Sequence, residues 1–416
     1  MKAGFAKIPI LPEGPTSLAG YAERMPRHYT QVLDPVYARA AAFSEDQHGV
    51  VVISADFLTP QERLTQAMRL HLVGRLPAGV DVVLHATHTH SAPGNFWSHP
   101  IAKKFAGPFK QETFDFLARR FADVAEWAWK NRDHVRVGFA QEQLPGLQGE
   151  PPPRGRPDRR DADERRFFSP DGRPVGAMVQ YAGHPVIVSE NEFFAVSADY
   201  PGRVAEAIEK EFPTCLFLNG AVGGLSIWFP KERIPVSDHL KKVATPIAEG
   251  LAKQLTAMKP ERGKLAFSRR HAELPDVGAQ PFPPDYAWWT PAAMPAVSVW
   301  NHFVGKGFFK PRRSPVSAVR LGEAAFVFHP SDFGVGGGLR TRENARAVGL
   351  NGSPVGHTDD YAGYIHPEEE MLIPPKAEGE YRYMTIYENL MGFHGRGAYA
   401  LFEKAEKEAL ADIASV

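Results

Sequence analysis

Three histidines in this chain stand where a metal ion or a reacting group could use them. His88 and His90 lie in Ala86-Thr87-His88-Thr89-His90-Ser91-Ala92-Pro93-Gly94. In an extended chain alternate side chains share a side, so these two imidazoles present one face. Such a pair either shares a metal ion or forms a hydrogen-bonded structural couple. His184 follows in Tyr181-Ala182-Gly183-His184-Pro185. Histidine nitrogen is a principal zinc donor, and two strand ends delivering histidines favour the metal reading.

Other segments could complete a site. Ser197-Ala198-Asp199-Tyr200-Pro201-Gly202 leads into a helix, and Asn219-Gly220-Ala221-Val222-Gly223-Gly224-Leu225-Ser226 offers a backbone able to approach a ligand closely. Gly223 and Ser226 are therefore candidate substrate contacts. Ser226 invites a nucleophile reading, but no G-x-S-x-G elbow surrounds it. Phe282 to Phe309 gathers Trp288, Trp289 and other aromatics among prolines and glycines. It suits an apolar substrate pocket, or else core packing or the interface of a homo-oligomer.

The elements that must position these residues are legible as periods. Val50-Val51-Val52-Ile53 reads as a buried strand ending near Asp56, and Val82-Val83-Leu84 as a second that runs into the histidine turn. Thr59-Pro60-Gln61-Glu62 predicts a helix start with Thr59 as N-cap and Glu62 closing a capping box. Phe114, Leu117, Phe121, Val124 and Ala128 predict an amphipathic helix over 112–130. Strands are expected at Val175–Tyr181, Leu216–Leu218 and Ala324–Phe328, and helices over 201–211 and 398–413. Residues 144–174, rich in Pro, Arg, Asp and Gly, predict a long irregular loop. No internal repeat is visible.

Bulk composition bounds the answer. The 416 residues are 43% hydrophobic and 23% charged, with 48 basic and 48 acidic side chains. This balance gives no general electrostatic case for a nucleic acid partner. The single cysteine, Cys215, sits in an apolar run and reads as a buried, inert thiol. No stretch has the apolar length of a membrane span, and no signal peptide is seen, so the expectation is a cytoplasmic protein.

Taken in order, His88-Thr89-His90-Ser91-x-Pro93-Gly94, Gly183-His184-Pro185, Ser197-Ala198-Asp199-Tyr200-Pro201-Gly202 and Asn219-Gly220-Ala221-x-Gly223 resemble the catalytic domain of the neutral/alkaline (non-lysosomal) ceramidases. Gly20-Tyr21, Asp34-Pro35-Val36-Tyr37-Ala38-Arg39, Tyr361-Ala362-Gly363-Tyr364 and Tyr387-Glu388 extend the likeness over nearly the whole chain. The resemblance implies an α/β layered sandwich, two β-sheets flanked by helices, with the metal site at strand ends. It implies a single catalytic domain over 1–416, with 281–311 as an aromatic-rich insertion. The family's immunoglobulin-like C-terminal domain has no counterpart in these residues.

The resemblance further implies one zinc ion per chain held by His88, His184, Asp332 and Tyr364. His90 would take a proton from water and pass it to the leaving amine, and Tyr387 and Arg154 would donate to the oxyanion. The reaction implied is hydrolysis of an N-acyl amide of lipid-like or small-molecule type. A soluble amide, ester or lactone is the alternative substrate, and a non-catalytic metal- or ligand-binding descendant the alternative function. The ligand types also suit iron or manganese. Two departures matter: Pro330-Ser331-Asp332 replaces the family's Pro-Gly-Glu, and Gly223-Gly224-Leu225-Ser226 replaces Gly-Asp-Val-Ser. Aspartate is one methylene shorter, so the site must close up or the coordination must change; His357 or His366 would stand in as ligand if Asp332 does not reach.

Overall fold

A computed structural model of the chain describes residues 1–46, 48–99, 102–144, 161–225, 227, 230, 233–261, 263–274, 313–371, 388, 391–395 and 397–416. Strand β1 (Lys2–Pro9) is followed by the short β2 (Gln31–Val32), then β3 (Tyr37–Glu45), β4 (His48–Ala55), helix α1 (Glu62–Leu72) and β5 (Val80–Ala86). Helices α2 (Lys103–Ala106) and α3 (Gln111–Lys130) lead to β6 (Asp133–His134). β1, β3 and β4 form an antiparallel meander; β5 then lies parallel to β4 after crossing over through α1.

The same path is drawn twice more. β7 (Arg136–Gln143), β8 (Asp161–Phe168) and β9 (Pro174–Tyr181) form a meander. After α4 (Ile187–Asn191), β10 (Ala195–Val196) and α5 (Asp199–Ile208), β11 (Cys215–Asn219) lies parallel to β9. Helix α6 (Val236–Ala257) follows. The third pass runs β12 (Leu265–Glu273), β13 (Arg313–Leu321), β14 (Ala324–Phe328), β15 (Asp332–Phe333), α7 (Val335–Ala347) and β16 (Asn351–Val355), with β16 parallel to β14. β17 (Tyr364–Ile365) and α8 (Ala398–Ala414) complete the chain. The strand orders β1-β3-β4-β5, β7-β8-β9-β11 and β12-β13-β14-β16 are thus one topology used three times.

Side-chain alternation explains how the three sheets pack. Val50 and Val52 of β4 join Met178 of β9, Leu216 and Leu218 of β11, and Phe326 and Phe328 of β14 in one core where the sheets meet. The intervening residues turn outward onto helices: Val51 and Ile53 toward α3, Val179 and Phe217 toward α5 and α6, Ala325 and Val327 toward α8. Period two thus buries both faces, with about 1.5–3 kcal/mol for each fully buried large aliphatic side chain.

The layered α/β arrangement matches the expectation, with three larger sheets in place of two. Asp161–Phe168 is a strand rather than part of an irregular loop. Its charged residues hide the pattern: Arg165 is fully buried, with its guanidinium 4.1 Å from the Phe139 ring and 4.6 Å from that of Phe326. Cross-strand packing overrides composition here. Helix α1 begins later than Thr59 predicts, and its Glu62 N–H donates to Asp360 Oδ1 at 3.1 Å, a cap from almost 300 residues away. Helix 112–130 is present as α3, and 201–211 as α5, which starts two residues earlier and ends at Ile208. No described helix is long and apolar enough to cross a membrane. The aromatic segment 281–311 lies outside the described residues.

Candidate metal centre at the strand ends

The parallel strand pairs of the three larger sheets point their C-terminal ends at one place. β5 ends at Ala86, two residues before His88; β9 ends at Tyr181, three before His184; β14 ends at Phe328, four before Asp332. Nε2 of His88 lies 3.1 Å from Nε2 of His184, 3.3 Å from Nε2 of His90 and 3.4 Å from Oδ1 of Asp332. His88 and Asp332 are buried, whereas His90 and His184 are half-buried and form the outer side of the cluster.

The backbone at His88 differs from the extended chain expected. The residue has φ +69°, the left-handed region that non-glycine side chains rarely occupy. The two imidazoles converge because the strand has ended and the chain turns sharply. Hydrogen bonds hold that turn in place. The Thr87 and His88 N–H groups donate to the carbonyls of Ala55 and Phe57, and Asn219 Nδ2 donates to the Thr87 carbonyl at 2.9 Å.

The Ser197–Tyr200 segment locks one histidine turn to the other. Thr89 Oγ1 donates to the Ser197 carbonyl at 2.9 Å, and Ser197 N–H donates to the Ser91 carbonyl at 2.8 Å. On the far side, Tyr200 donates its hydroxyl to the Gly183 carbonyl at 2.7 Å. Asp199 accepts from Val188 N–H at 2.8 Å and Tyr200 N–H at 2.7 Å, capping α4 just after His184. Burial pushes the Asp199 carboxyl up to about 7.

Hydrogen bonding separates the histidines by chemistry. His88 Nδ1 lies 2.7 Å from the Leu58 carbonyl, which fixes the proton there and leaves Nε2 with a lone pair. His184 has a backbone acceptor of its own in the Val222 carbonyl. His90 Nδ1 has no hydrogen-bond partner among the described residues, so its tautomer is free to change. Burial holds His184 down to about 4, and burial with mutual repulsion holds His88 and His90 well below the usual histidine range. Burial raises Asp332 to about 7, against the pull of the Tyr361 hydrogen bond. Without an ion the three imidazoles are neutral near pH 7, where Asp332 is about half ionised.

This donor set fits a divalent cation. Nε2 of His88 meets two ring nitrogens and a carboxylate oxygen with no proton of its own to give. Among the described residues Asp332 Oδ1 is buried with no hydrogen-bond partner, while Oδ2 accepts the Tyr361 hydroxyl at 2.7 Å. Nitrogen donors with one carboxylate oxygen are a common zinc combination. His88, His90 and His184 form one possible triad, and His88, Asp332 and His357 another.

Of the residues singled out in the sequence, His88, His90, His184 and Asp332 are brought together. Tyr364 is buried and is the register partner of Asp332 in the β15–β17 ribbon. Gly223 donates to the Phe333 carbonyl at 2.9 Å, and a Cβ there would come within 3.0 Å of both the Asp332 carbonyl and His366. Its bareness lets the glycine loop press against the strand that bears Asp332. Arg154, Ser226, Trp288, Trp289 and Tyr387 lie outside the described residues. Sequence reasoning gave Tyr361 no role and named His357 only as a substitute ligand; the structure stacks the His357 ring on that of His88. The signal available for both was adjacency to β16, a strand it had not identified.

No protein-family model matches the chain, and no curated protein matches it in sequence. Two solved structures match over 99% of it: the neutral ceramidase from Pseudomonas aeruginosa, at 18% identity and a TM-score of 0.76, and a ceramidase complexed with C2, at 17% and 0.78. In each case 74% of the other chain is covered. The chain therefore has the fold of neutral ceramidase.

Proposed function

We propose that the chain is a zinc-dependent amidohydrolase that cleaves an N-acyl bond. The observation that carries this is the meeting, at Nε2 of His88, of the Nε2 atoms of His90 and His184 and of Oδ1 of Asp332, with the proton of His88 already committed to the Leu58 carbonyl. The fold shared with two ceramidases supports an amide as the bond at risk.

His88, His184 and Asp332 would hold the ion, with Tyr364 beside Asp332 as the remaining protein donor. When bound, zinc supplies Lewis acidity, which acidifies water and polarises an acyl carbonyl. His90 stands on the more open side of the cluster with Nδ1 unpartnered, and so it can receive a proton at one ring nitrogen and release it later to the leaving amine. Burial and the neighbouring His88 and His184 keep it neutral without an ion. Arg154 and Tyr387 are proposed as donors to the oxyanion, and Trp288 and Trp289, with Gly223 and Ser226, as contacts to the substrate.

The test is elemental analysis of chelator-washed protein reloaded with zinc, together with hydrolysis of an N-acyl amide series of graded chain length. About one zinc per chain is expected. His88→Ala and His184→Ala should lose it, while His90→Ala should keep the ion and lose turnover. Full metal content in both ligand variants would sink the assignment.

A further inference from the structure

His88 and His90 are held in different ways. The His88 ring is fixed by a hydrogen bond from Nδ1 to the Leu58 carbonyl. His90 Nδ1 has no partner among the described residues, so no such bond orients its ring. Segment 20–24 supplies the restraint instead. Gly20 has φ +114°, and a Cβ on it would lie 2.6 Å from Nδ1 of His90, so its bare backbone forms one wall of the ring. The Tyr21 ring stands 5.1 Å from the His90 ring, tilted by 58°. Its hydroxyl donates to Glu190 Oε1 at 2.8 Å in α4, the helix that follows His184. His90 N–H donates to the Pro185 carbonyl at 3.3 Å, and Nη1 of Arg24 donates to the carbonyl of His90.

Arg24 is costly where it stands. It is fully buried in a single 3₁₀ turn, Ala22–Arg24, and burial lowers its guanidinium to about 10. Among the described residues no carboxylate pairs with it, and its Nε and Nη2 have no hydrogen-bond partner. The guanidinium lies 5.0 Å from the Tyr21 ring and 4.7 Å from that of Phe193. Those rings attract its charge, but a methionine of similar length would fill the same space without the desolvation cost. The N–H groups that Arg24 does use go to two main-chain carbonyls, that of Ala19 at 3.0 Å and that of His90. The second belongs to the histidine assigned to carry the proton.

We propose that Arg24 is the positioning residue of His90, pinning its main chain so that the ring faces the cluster while Nδ1 stays uncommitted. This rests on the reading of His90 as the proton carrier and deepens it. A ring that takes a proton and later gives it up cannot share a nitrogen with a permanent acceptor, so it cannot be oriented as His88 is. Its orientation must come from the backbone and from neighbouring walls. Segment 20–24 provides both.

The experiment uses the full zinc-loaded chain with Arg24→Met, which keeps the length and removes donor and charge, and Arg24→Lys, which restores a charged donor. Arg24→Gln, neutral and shorter, takes the place of Arg24→Met should that variant not fold. One readout is kcat and KM on the N-acyl amide series. The other is the set of imidazole nitrogen signals of protein labelled with nitrogen-15 at histidine, that of His90 being identified by its loss in His90→Ala. We expect Arg24→Met to keep its zinc and to shift the His90 signals while those of His88 and His184 stay in place. Its kcat should fall about 10–100-fold with KM nearly unchanged, and Arg24→Lys should recover most of both effects. Unmoved His90 signals in Arg24→Met would overturn the proposal. So would equal displacement of all three imidazoles with no recovery in Arg24→Lys, the mark of a packing role. If the parent cleaves no amide, the hydrolase reading fails, while the imidazole signals still decide whether Arg24 orients His90.

Discussion

Tyr361 donates its hydroxyl to Oδ2 of Asp332 at 2.7 Å, which leaves Oδ1 as the only oxygen of that carboxylate facing His88 and His357. One bond thereby selects which oxygen is available and fixes the rotation of the carboxylate. Partners behind metal ligands typically contribute 10–100-fold in affinity or activity.

Tyr361→Phe should therefore weaken zinc binding by about 10–100-fold with little change in the fold. Chelator competition reads this directly. An unaltered affinity would mean that neighbouring atoms hold the carboxylate without the hydroxyl.

Tyr200→Phe removes the donor to the Gly183 carbonyl beside His184. Leaving that buried acceptor unsatisfied should cost about 1–3 kcal/mol of stability. Urea unfolding measures the loss, and zinc affinity should drop with it because His184 loosens. A stability loss with metal affinity untouched would restrict Tyr200 to a packing role.

Asp199 gives a pH dependence with a definite sign. Burial lifts its folded pKa to about 7, against roughly 3.9 for an unfolded aspartate. Between these values the folded state binds more protons than the unfolded state, so the contribution is full below about pH 4, declines as pH rises and levels off above about 7. The stability difference between the parent and Asp199→Asn should shift against the parent across that window. Parallel stability profiles for the two proteins would refute the raised value.

Gly223→Ala places a Cβ within 3.0 Å of the Asp332 carbonyl and His366. The strand bearing Asp332 must yield by a few tenths of an ångström. Zinc affinity should fall several-fold, to the order of 10-fold, while far-ultraviolet circular dichroism stays at the parent signal. Unchanged affinity would show that the β15–β17 ribbon moves freely.

Much of this molecule could be read locally. Val50–Ile53, Val82–Leu84 and the apolar period of α3 announce strands and a helix because each depends on neighbours within a few residues. The spacing of His88, His90 and His184 beyond apolar runs identified three members of the cluster. The charged strand Asp161–Phe168 was not legible, because Arg165 is buried by aromatic rings supplied from β7 and β14. The cap of α1 by Asp360 was equally hidden, since no local rule links residues that far apart.

The chain by itself determined the donor types, the strand-end placement of the histidines and the α/β class, all consequences of side-chain chemistry and short-range period, whereas the layering was implied by the family resemblance. Only the tertiary structure decided that one topology is used three times and that its parallel strand ends meet. That meeting brings Asp332 within 3.4 Å of His88 and stacks His357 upon it, across more than 240 residues of sequence. The reason is physical: secondary structure follows from interactions along the chain, whereas a site at converging strand ends exists only once the sheets have buried their shared core.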